Sequence, residues 1–406
     1  MKMALIADLL QSVTAAKSAE DYWTVQNTLA AAIETRERII RRKEQRHLTF
    51  RNAIKQCAEQ SAGNPGSHRE RLQRLQNLLA ANQRSNDDHR FARGAILYLG
   101  DTLAYNLMPD HEVRLHGRNS SPGFFEGKQG REQELEIGAW LTKDGWTVLL
   151  HDLTHCLRIG DLTAFCPDRG VLRLECGSGG GPRKQRQSQR MRLLDRVLKE
   201  DVSTLSPEEL AAHHFPAMLL DDESELELQH HADAFSEVAS CDSVGWKVLQ
   251  PEDGLIYAAC LPECPAEELA RAITHTGRGW RDYTVACFRN RIVGDYSWVP
   301  PITTFNIPVE QLVGLLERRF YFFVFINVDY VRRQLAKLSP SISVSEHGGY
   351  IRFESSKEDW YVIRGPRPIE NVQYGLLALK NALHLLAMEP QFDPAALVRE
   401  RGTPDN

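Results

Sequence analysis

The stretch LRIGDLTAFCPDRGVLRLEC, residues Leu157–Cys176, decides the fold of the middle of the chain. Apolar residues dominate Leu157–Phe165 and Val171–Cys176, which is typical of β-strands. Pro167 and Gly170 between them favour a tight turn. The sequence therefore predicts a β-hairpin here.

Each strand of this hairpin carries one carboxylate. Asp161 lies in an otherwise apolar strand, and Glu175 lies near the end of the next one. A hairpin can place the two groups side by side at one edge of a sheet. Carboxylates among apolar neighbours cost free energy unless a cation compensates them, so a divalent metal is the simplest explanation.

A helix is predicted before the hairpin, over Gly130–Lys143. Glu134, Ile137 and Leu141 share one face of this helix, so Glu134 stands at the border of the buried stripe and can point toward the same sheet edge. Asp152 precedes the Asp161 strand closely enough to support a ligand, although we expect it and His155 to be loop residues.

The remaining elements of the middle region predict an α/β core with a central mixed sheet over residues 109–203. His111–His116 alternates like a strand, and Trp146–Leu150 reads as a buried strand. A glycine-rich loop follows Cys176, and a strongly basic helix follows over Arg183–Leu198.

The order Gly130-x3-Glu134-x6-Leu141-x3-Gly145, then Gly160-Asp161, then Glu175-x-Gly177 and a basic, glutamine-containing helix, resembles the PD-(D/E)XK nuclease superfamily. The resemblance covers Leu107–Val197. It implies a restriction-endonuclease-like core that hydrolyses phosphodiester bonds of DNA, with RNA left open as the substrate. It also implies Mg²⁺, or Mn²⁺ in its place, bound by Asp161, Glu175 and the backbone carbonyl of Cys176, with Glu134 completing the site.

One motif position departs from the family. Gly177 stands where the family has a lysine that orients or activates the attacking water. We predict that Lys184, or Arg183 beside it, returns a cation to this slot across the glycine-rich loop. The alternatives are a catalytically inactive nucleic-acid-binding or assembly subunit, or an inactivating replacement in this chain.

The basic helix after the loop is also a candidate contact for the phosphate backbone, because its positive face would begin beside the metal. The competing interpretation is a solvated helix that buries Met191, Leu194 and Val197. The predicted contact residues are Arg183, Lys184, Arg186, Gln189 and Arg190.

Residues 1–108 predict a helical region, with helices near His68–Gln83 and Phe91–Leu107 after a long first helix. Its basic surface is either a solvated face, a dimerisation arm or a DNA-binding arm. Residues 204–243, with the acidic run Asp221–Glu227, read as a linker. Residues 244–390 predict an α+β domain of unknown role, with the alternative that it senses a ligand or partner, and residues 391–406 a tail.

Composition limits the setting. The 42% apolar and 25% charged content excludes a disordered or fibrous protein, and the net charge of -5 means that attraction for nucleic acid must come from local basic patches. Eight scattered cysteines, no signal peptide and no bilayer-length apolar run predict a cytoplasmic protein without a membrane partner. By analogy with bacterial anti-phage defence nucleases, we expect a homo-oligomer or a partner protein.

Overall fold

The computed structural model describes residues 4–59, 65–109, 124–128, 130–157, 159–176, 222–241, 245–289, 301–338, 342–347 and 350–355, with isolated shorter stretches elsewhere. The chain divides into two compact units. The first comprises Met1–Gly100, Pro122–Thr154 and Asp161–Gly177, and the second comprises Asp101–Ser121, His155–Gly160 and Ser178–Asn406. No helix of the described residues is both long enough and apolar enough to cross a membrane.

Long helices begin the first unit, which confirms the predicted helical N-terminal region. These are α1 (Ala4–Ala15), α2 (Ala19–Glu59) and α3 (Pro65–Leu107). A reciprocal capping box starts α2, because the Asp21 amide donates to Ser18 Oγ and the Ser18 amide donates to Asp21 Oδ2, at 3.1 and 2.9 Å. The two helices predicted over 68–107 form the single helix α3.

A three-stranded sheet lies in the first unit behind α4 (Arg131–Lys143). Its strands β1 (Thr147–Leu150), β2 (Leu162–Cys166) and β3 (Gly170–Leu174) pair in the order β1-β2-β3. The predicted hairpin is confirmed as β2 and β3, with Leu162 opposite Leu174. The strands are shorter than predicted, since β2 begins at Leu162 rather than Leu157 and β3 ends at Leu174, so Asp161 directly precedes β2 and Glu175 directly follows β3. Gln26 of α2 fixes β1, since its side chain donates to Val148 O at 2.6 Å and accepts from Leu150 N at 2.7 Å.

The pairings among the described strands are all antiparallel, so the mixed sheet predicted for the core is wrong for these strands. The coarser prediction, an α/β chain, is confirmed. The connections account for the antiparallel pairing: a tight turn joins β2 to β3, and residues 151–161 join β1 to β2, whereas parallel strands need a crossover of about a dozen residues or more.

The second unit contains the remaining described elements. Its helices are α5 (Asp222–Ala239), α6 (Ala266–Thr276), α7 (Val309–Leu316) and α8 (Val328–Leu338). One antiparallel sheet has the order β4-β5-β7-β6, with strands Trp246–Glu252, Leu255–Cys260, Tyr321–Asn327 and Tyr283–Cys287. A second has the order β10-β9-β8, with strands Ile363–Arg364, Tyr350–Ser355 and Ile342–His347.

Two sequence predictions in this unit need correction. Residues 112, 113 and 116 are helical rather than a strand, and Val113 and His116 are both buried because a three-residue spacing lies on one helix face. Asp222–Ala239, within the predicted linker, is the packed helix α5. Its buried His231 contacts the hydroxyl of Tyr257 at 2.9 Å.

Candidate active site

One ammonium group in the first unit contacts three carboxylates. Nζ of Lys128 lies 2.6 Å from Asp152 Oδ2, 2.7 Å from Glu134 Oε1 and 3.1 Å from Asp161 Oδ1. These four residues, called the Lys128 cluster below, come from four separate segments: the loop before α4, the first turn of α4, the turn after β1 and the residue before β2. The fold therefore collects the charges at one end of the β1-β2-β3 sheet.

Backbone pairing fixes Asp161. Its amide donates to Leu174 O at 2.8 Å, and its carbonyl accepts from His151 N at 3.0 Å. One side-chain oxygen accepts the Cys176 amide at 2.7 Å, while the other faces Lys128. The aspartate is thus held between the end of β1 and the end of β3, with one oxygen directed into the cluster.

Close packing of α4 positions Glu134. A Cβ at Gly138 would stand 2.4 Å from the Trp23 ring of α2, so only glycine allows this approach without a shift. Arg131, at the start of α4, pairs with Glu34 of α2. Glu134 itself lies in the first helical turn, where the helix dipole favours a carboxylate.

A single 3-10 turn, His151–Leu153, carries Asp152. The amide and hydroxyl of Thr154 both donate to His151 O, at 3.0 and 2.9 Å, and His151 Nε2 contacts Thr163 Oγ1 of β2 at 2.8 Å. These contacts tie the turn to the central strand, so Asp152 keeps its place beside Lys128.

Burial and mutual charge set the protonation of the cluster. The Glu134 side chain is 3% exposed, and burial raises its pKa to about 7 although the hydrogen bond from Lys128 acts in the opposite direction. Burial disfavours the charge of Lys128, but Asp152, Glu134 and Asp161 outweigh burial and raise the pKa of the ammonium above its usual range. Lys128 therefore stays cationic at neutral pH.

Cys176 is not a nucleophile at neutral pH. Burial, and then the charges of Asp161 and Glu134, raise the pKa of its thiol to about 12. Its backbone takes part instead: the amide binds Asp161, and a Cβ built on Gly130 would stand 4.0 Å from the Cys176 carbonyl oxygen. That carbonyl, a predicted metal ligand, thus lies beside the start of α4.

The structure brings together Glu134 and Asp161, as the sequence predicts, and adds Asp152. His155, weighed with Asp152, contacts Asp101 in the second unit, with Nδ1 3.1 Å from Oδ2. Glu175 is partly buried directly after β3, next to Leu174, which accepts the Asp161 amide. Sequence reasoning missed Lys128, because the motif directs attention to positions after Glu175.

The predicted basic helix falls mostly outside the described residues, which exclude Arg183, Lys184, Arg186 and Arg190. Gln189 is helical and exposed. Leu194, expected on the buried side of this helix, is helical and 1% exposed. The described positions agree with a helix that has one buried side.

Oxygen ligands from carboxylates suit Mg²⁺ or Mn²⁺, so the donor chemistry of the cluster fits the implied ion. As they stand, however, the described residues include no group of three or more His, Cys, Asp or Glu side chains arranged to hold a metal ion. The ammonium of Lys128 lies among the carboxylates, within 3.1 Å of each. A metal ion at this point must share or displace that ammonium.

Comparison of the chain with protein-family models, with curated proteins and with solved structures finds no match. The resemblance to PD-(D/E)XK nucleases therefore rests on the motif residues alone.

A pH dependence of stability follows from Glu134. Its pKa of about 7 in the folded protein exceeds the ordinary glutamate value, so the folded state binds more protons than the unfolded state between the two values. The unfolding free energy of the metal-free protein should therefore fall as pH rises through this window. Relative to Glu134→Gln, we expect wild type to lose about 1–3 kcal/mol between pH 4.5 and pH 7.5, measured by urea unfolding.

Lys128 does not reverse this sign, because it is charged in both states over the same window: the ordinary lysine pKa already lies well above pH 7.5, and in the folded state the pKa of Lys128 is raised further. A difference between wild type and Glu134→Gln that stays constant from pH 4.5 to 7.5 would show that Glu134 titrates as an ordinary carboxyl group.

Proposed function

We propose that the chain is a metal-dependent nuclease that hydrolyses phosphodiester bonds of DNA, with the Lys128 cluster at its active site. The observation that carries the proposal is the convergence of Glu134, Asp152 and Asp161 on one cationic point. Three carboxylates at one sheet end, one of them almost fully buried, are costly to a fold that does not use them with a cation.

The residues that would hold Mg²⁺ or Mn²⁺ are Asp161, Glu175, the Cys176 carbonyl and Glu134, with Asp152 as an additional carboxylate. When bound, such an ion polarises a phosphoryl oxygen and lowers the pKa of coordinated water. The chain's own contribution is to hold these oxygens in place: the Cys176 amide orients Asp161, and the packing of α4 on Trp23 orients Glu134.

We assign to Lys128, rather than Lys184, the cation that the motif lacks at Gly177. Because its pKa is raised, Lys128 cannot accept a proton at neutral pH and cannot be the general base. Its role is electrostatic: the ammonium orients an anionic phosphate or the attacking water, and it offsets the charge of the three carboxylates.

The same contacts are also compatible with a second candidate function, a nucleic-acid-binding subunit in which this cluster has no catalytic role. Lys128 already supplies the carboxylates with a cation, so the cluster is also consistent with a buried ion-pair network that only stabilises the fold. The two functions differ in whether phosphodiester bonds are cut.

The test is cleavage of supercoiled plasmid, linear duplex and single-stranded RNA with Mg²⁺ or Mn²⁺. Because removal of even an outer partner of a metal site costs about 10–100-fold, we expect Asp161→Asn to lose about 100-fold or more. Asp168→Asn is the matched control, since it makes the same change at an exposed position of the same hairpin. If wild type binds DNA but cleaves none of these substrates with either ion, the second candidate function is favoured.

A further inference from the structure

The α2–α3 hairpin has two parts that differ in how their cations are paired. In the part nearer the Lys128 cluster, arginines meet carboxylates. These ion pairs are Arg38–Glu126, Arg41–Glu126, Arg90–Glu44 and Arg93–Glu37, with N–O distances of 2.6 to 3.5 Å. In this part, carboxylates of the same chain neutralise the positive charges.

The distal part, residues 45–59 of α2 and 69–84 of α3, is called the distal arm below. It carries seven exposed cations against two carboxylates, Glu59 and Glu70. In the part of the chain that the structure describes, no ion pair involves any of the seven. They are Arg46, Arg51, Lys55, Arg69, Arg71, Arg74 and Arg84.

The two helices are in contact at the base of the arm, where Asn82 of α3 donates to the Lys43 carbonyl of α2 at 2.9 Å. They run in opposite directions, since Arg90 pairs with Glu44 and Arg93 with Glu37. At 1.5 Å per residue, the α2 segment spans about 22 Å, the length of about six phosphates along one strand of duplex DNA. Exposed amides such as Gln45, Asn52 and Asn77 stand among the cations. Arginine, lysine, asparagine and glutamine side chains are the usual partners of phosphate oxygens.

Charge argues against two simpler interpretations of the distal arm, a solvated helix face and a dimerisation surface. A solvated helix face normally mixes signs and forms pairs three or four residues apart. The nearer part of this hairpin instead pairs its arginines with carboxylates of the facing helix or of the loop before α4. A second copy of the arm would bring like charges together, which disfavours self-association through it. The excess of positive charge is local, since the whole chain carries -5.

From these observations we propose that the distal arm binds the phosphate backbone of the nucleic acid, without reading its sequence. The inference rests on the proposed function for the identity of the substrate, but not on the metal or on cleavage. The arm contacts are electrostatic, so binding weakens with salt in proportion to the phosphates that the arm neutralises.

The experiment is fluorescence anisotropy of a labelled 30-base-pair duplex in EDTA, over a series of salt concentrations. The arm variant is R51Q/K55Q/R71Q/R74Q, and the control is R278Q/R281Q/R289Q/R333Q, four exposed arginines of the second unit. We expect Kd to rise about 10-fold or more in the arm variant, and the slope of log K against log salt to fall by about 0.9 for each phosphate that the arm no longer neutralises. The control variant should bind like wild type, and both should keep the wild-type Tm because the changes are exposed.

Unchanged affinity and slope in the arm variant would overturn the proposal. So would arm-dependent binding to vesicles of anionic lipid without binding to DNA, or a shift in oligomeric mass by light scattering with DNA binding intact. Failure of the proposed function has a different signature: no cleavage by wild type, with DNA binding that still depends on the arm. If Asp161→Asn loses cleavage but the arm variant binds DNA like wild type, the proposed nuclease function is supported and the proposed role of the distal arm is wrong.

Discussion

Lys128→Met is expected to abolish cleavage, to destabilise the metal-free protein and to tighten its binding of Mn²⁺. Methionine keeps an aliphatic chain in the same space but removes the ammonium that lies within 3.1 Å of three carboxylates. Breaking a buried ion pair by removing one partner costs about 3–5 kcal/mol, because the other charge is left uncompensated. A divalent ion then binds without having to displace Lys128, so metal should restore much of this stability.

Three measurements check this expectation: plasmid cleavage, calorimetric titration with Mn²⁺, and the unfolding free energy with and without the ion. Lys143→Met, at the exposed end of α4, is the control for loss of a lysine in the same unit. Lys128→Arg keeps the charge and should retain stability in the metal-free state. If Lys128→Met cleaves like wild type and Lys184→Ala does not cleave, then Lys184, and not Lys128, supplies the cation that the motif lacks at Gly177.

Local sequence patterns were enough to predict the elements that carry the carboxylates. The apolar runs on both sides of Pro167 and Gly170 predict the β2–β3 hairpin, and the three- and four-residue spacing over Gly130–Lys143 predicts α4. Because β2 pairs with β3 and α4 immediately precedes this sheet along the chain, Glu134 and Asp161 meet as expected. The PD-(D/E)XK identity and the metal itself stay predictions.

Lys128 could not be found in the same way, because its place in the cluster depends on the path of the loop before α4 and not on any periodic pattern. The sequence identifies Asp152 only as a loop residue close enough to support a ligand, and the 3-10 turn His151–Leu153 directs it toward Lys128. The only local signal in the sequence is a lysine two residues before Gly130, the glycine that precedes a helix with acidic residues in its first turn. In the structure this glycine has a φ of +90°. That signal is too common in loops to single out one residue.

The continuity of α3 is another feature that the periodicity of apolar residues does not predict. Gln83–Arg90 has no apolar residue, so the sequence predicts a break between helices, yet α3 continues through it because no glycine or proline interrupts it. The side chains of this stretch are mostly exposed, but Asn86 within it and Asn82 directly before it are buried and serve the packing in place of apolar residues. A missing apolar stripe therefore indicates exposure rather than the end of a helix.

Gly100→Ala is expected to be the most destabilising single methyl addition in the first unit. A Cβ at Gly100 would stand 1.8 Å from Leu153 O and 2.8 Å from Leu153 C, both backbone atoms of the turn that carries Asp152. In an exposed helix the same change gains about 1 kcal/mol, because alanine favours helix. Here α3 or the turn must move apart, and we expect a loss of about 3 kcal/mol or more in unfolding free energy.

Gly138→Ala is the matched comparison, because its Cβ meets the Trp23 ring, which can rotate, rather than a backbone carbonyl. Urea unfolding should therefore show a smaller loss for Gly138→Ala than for Gly100→Ala. Gly100→Ala should also weaken binding of Mn²⁺ in protein that remains folded, since the displaced turn withdraws Asp152 from Lys128. A Gly100→Ala protein as stable as wild type would mean that the turn does not lie against α3, and the position of Asp152 in the cluster would lose its structural basis.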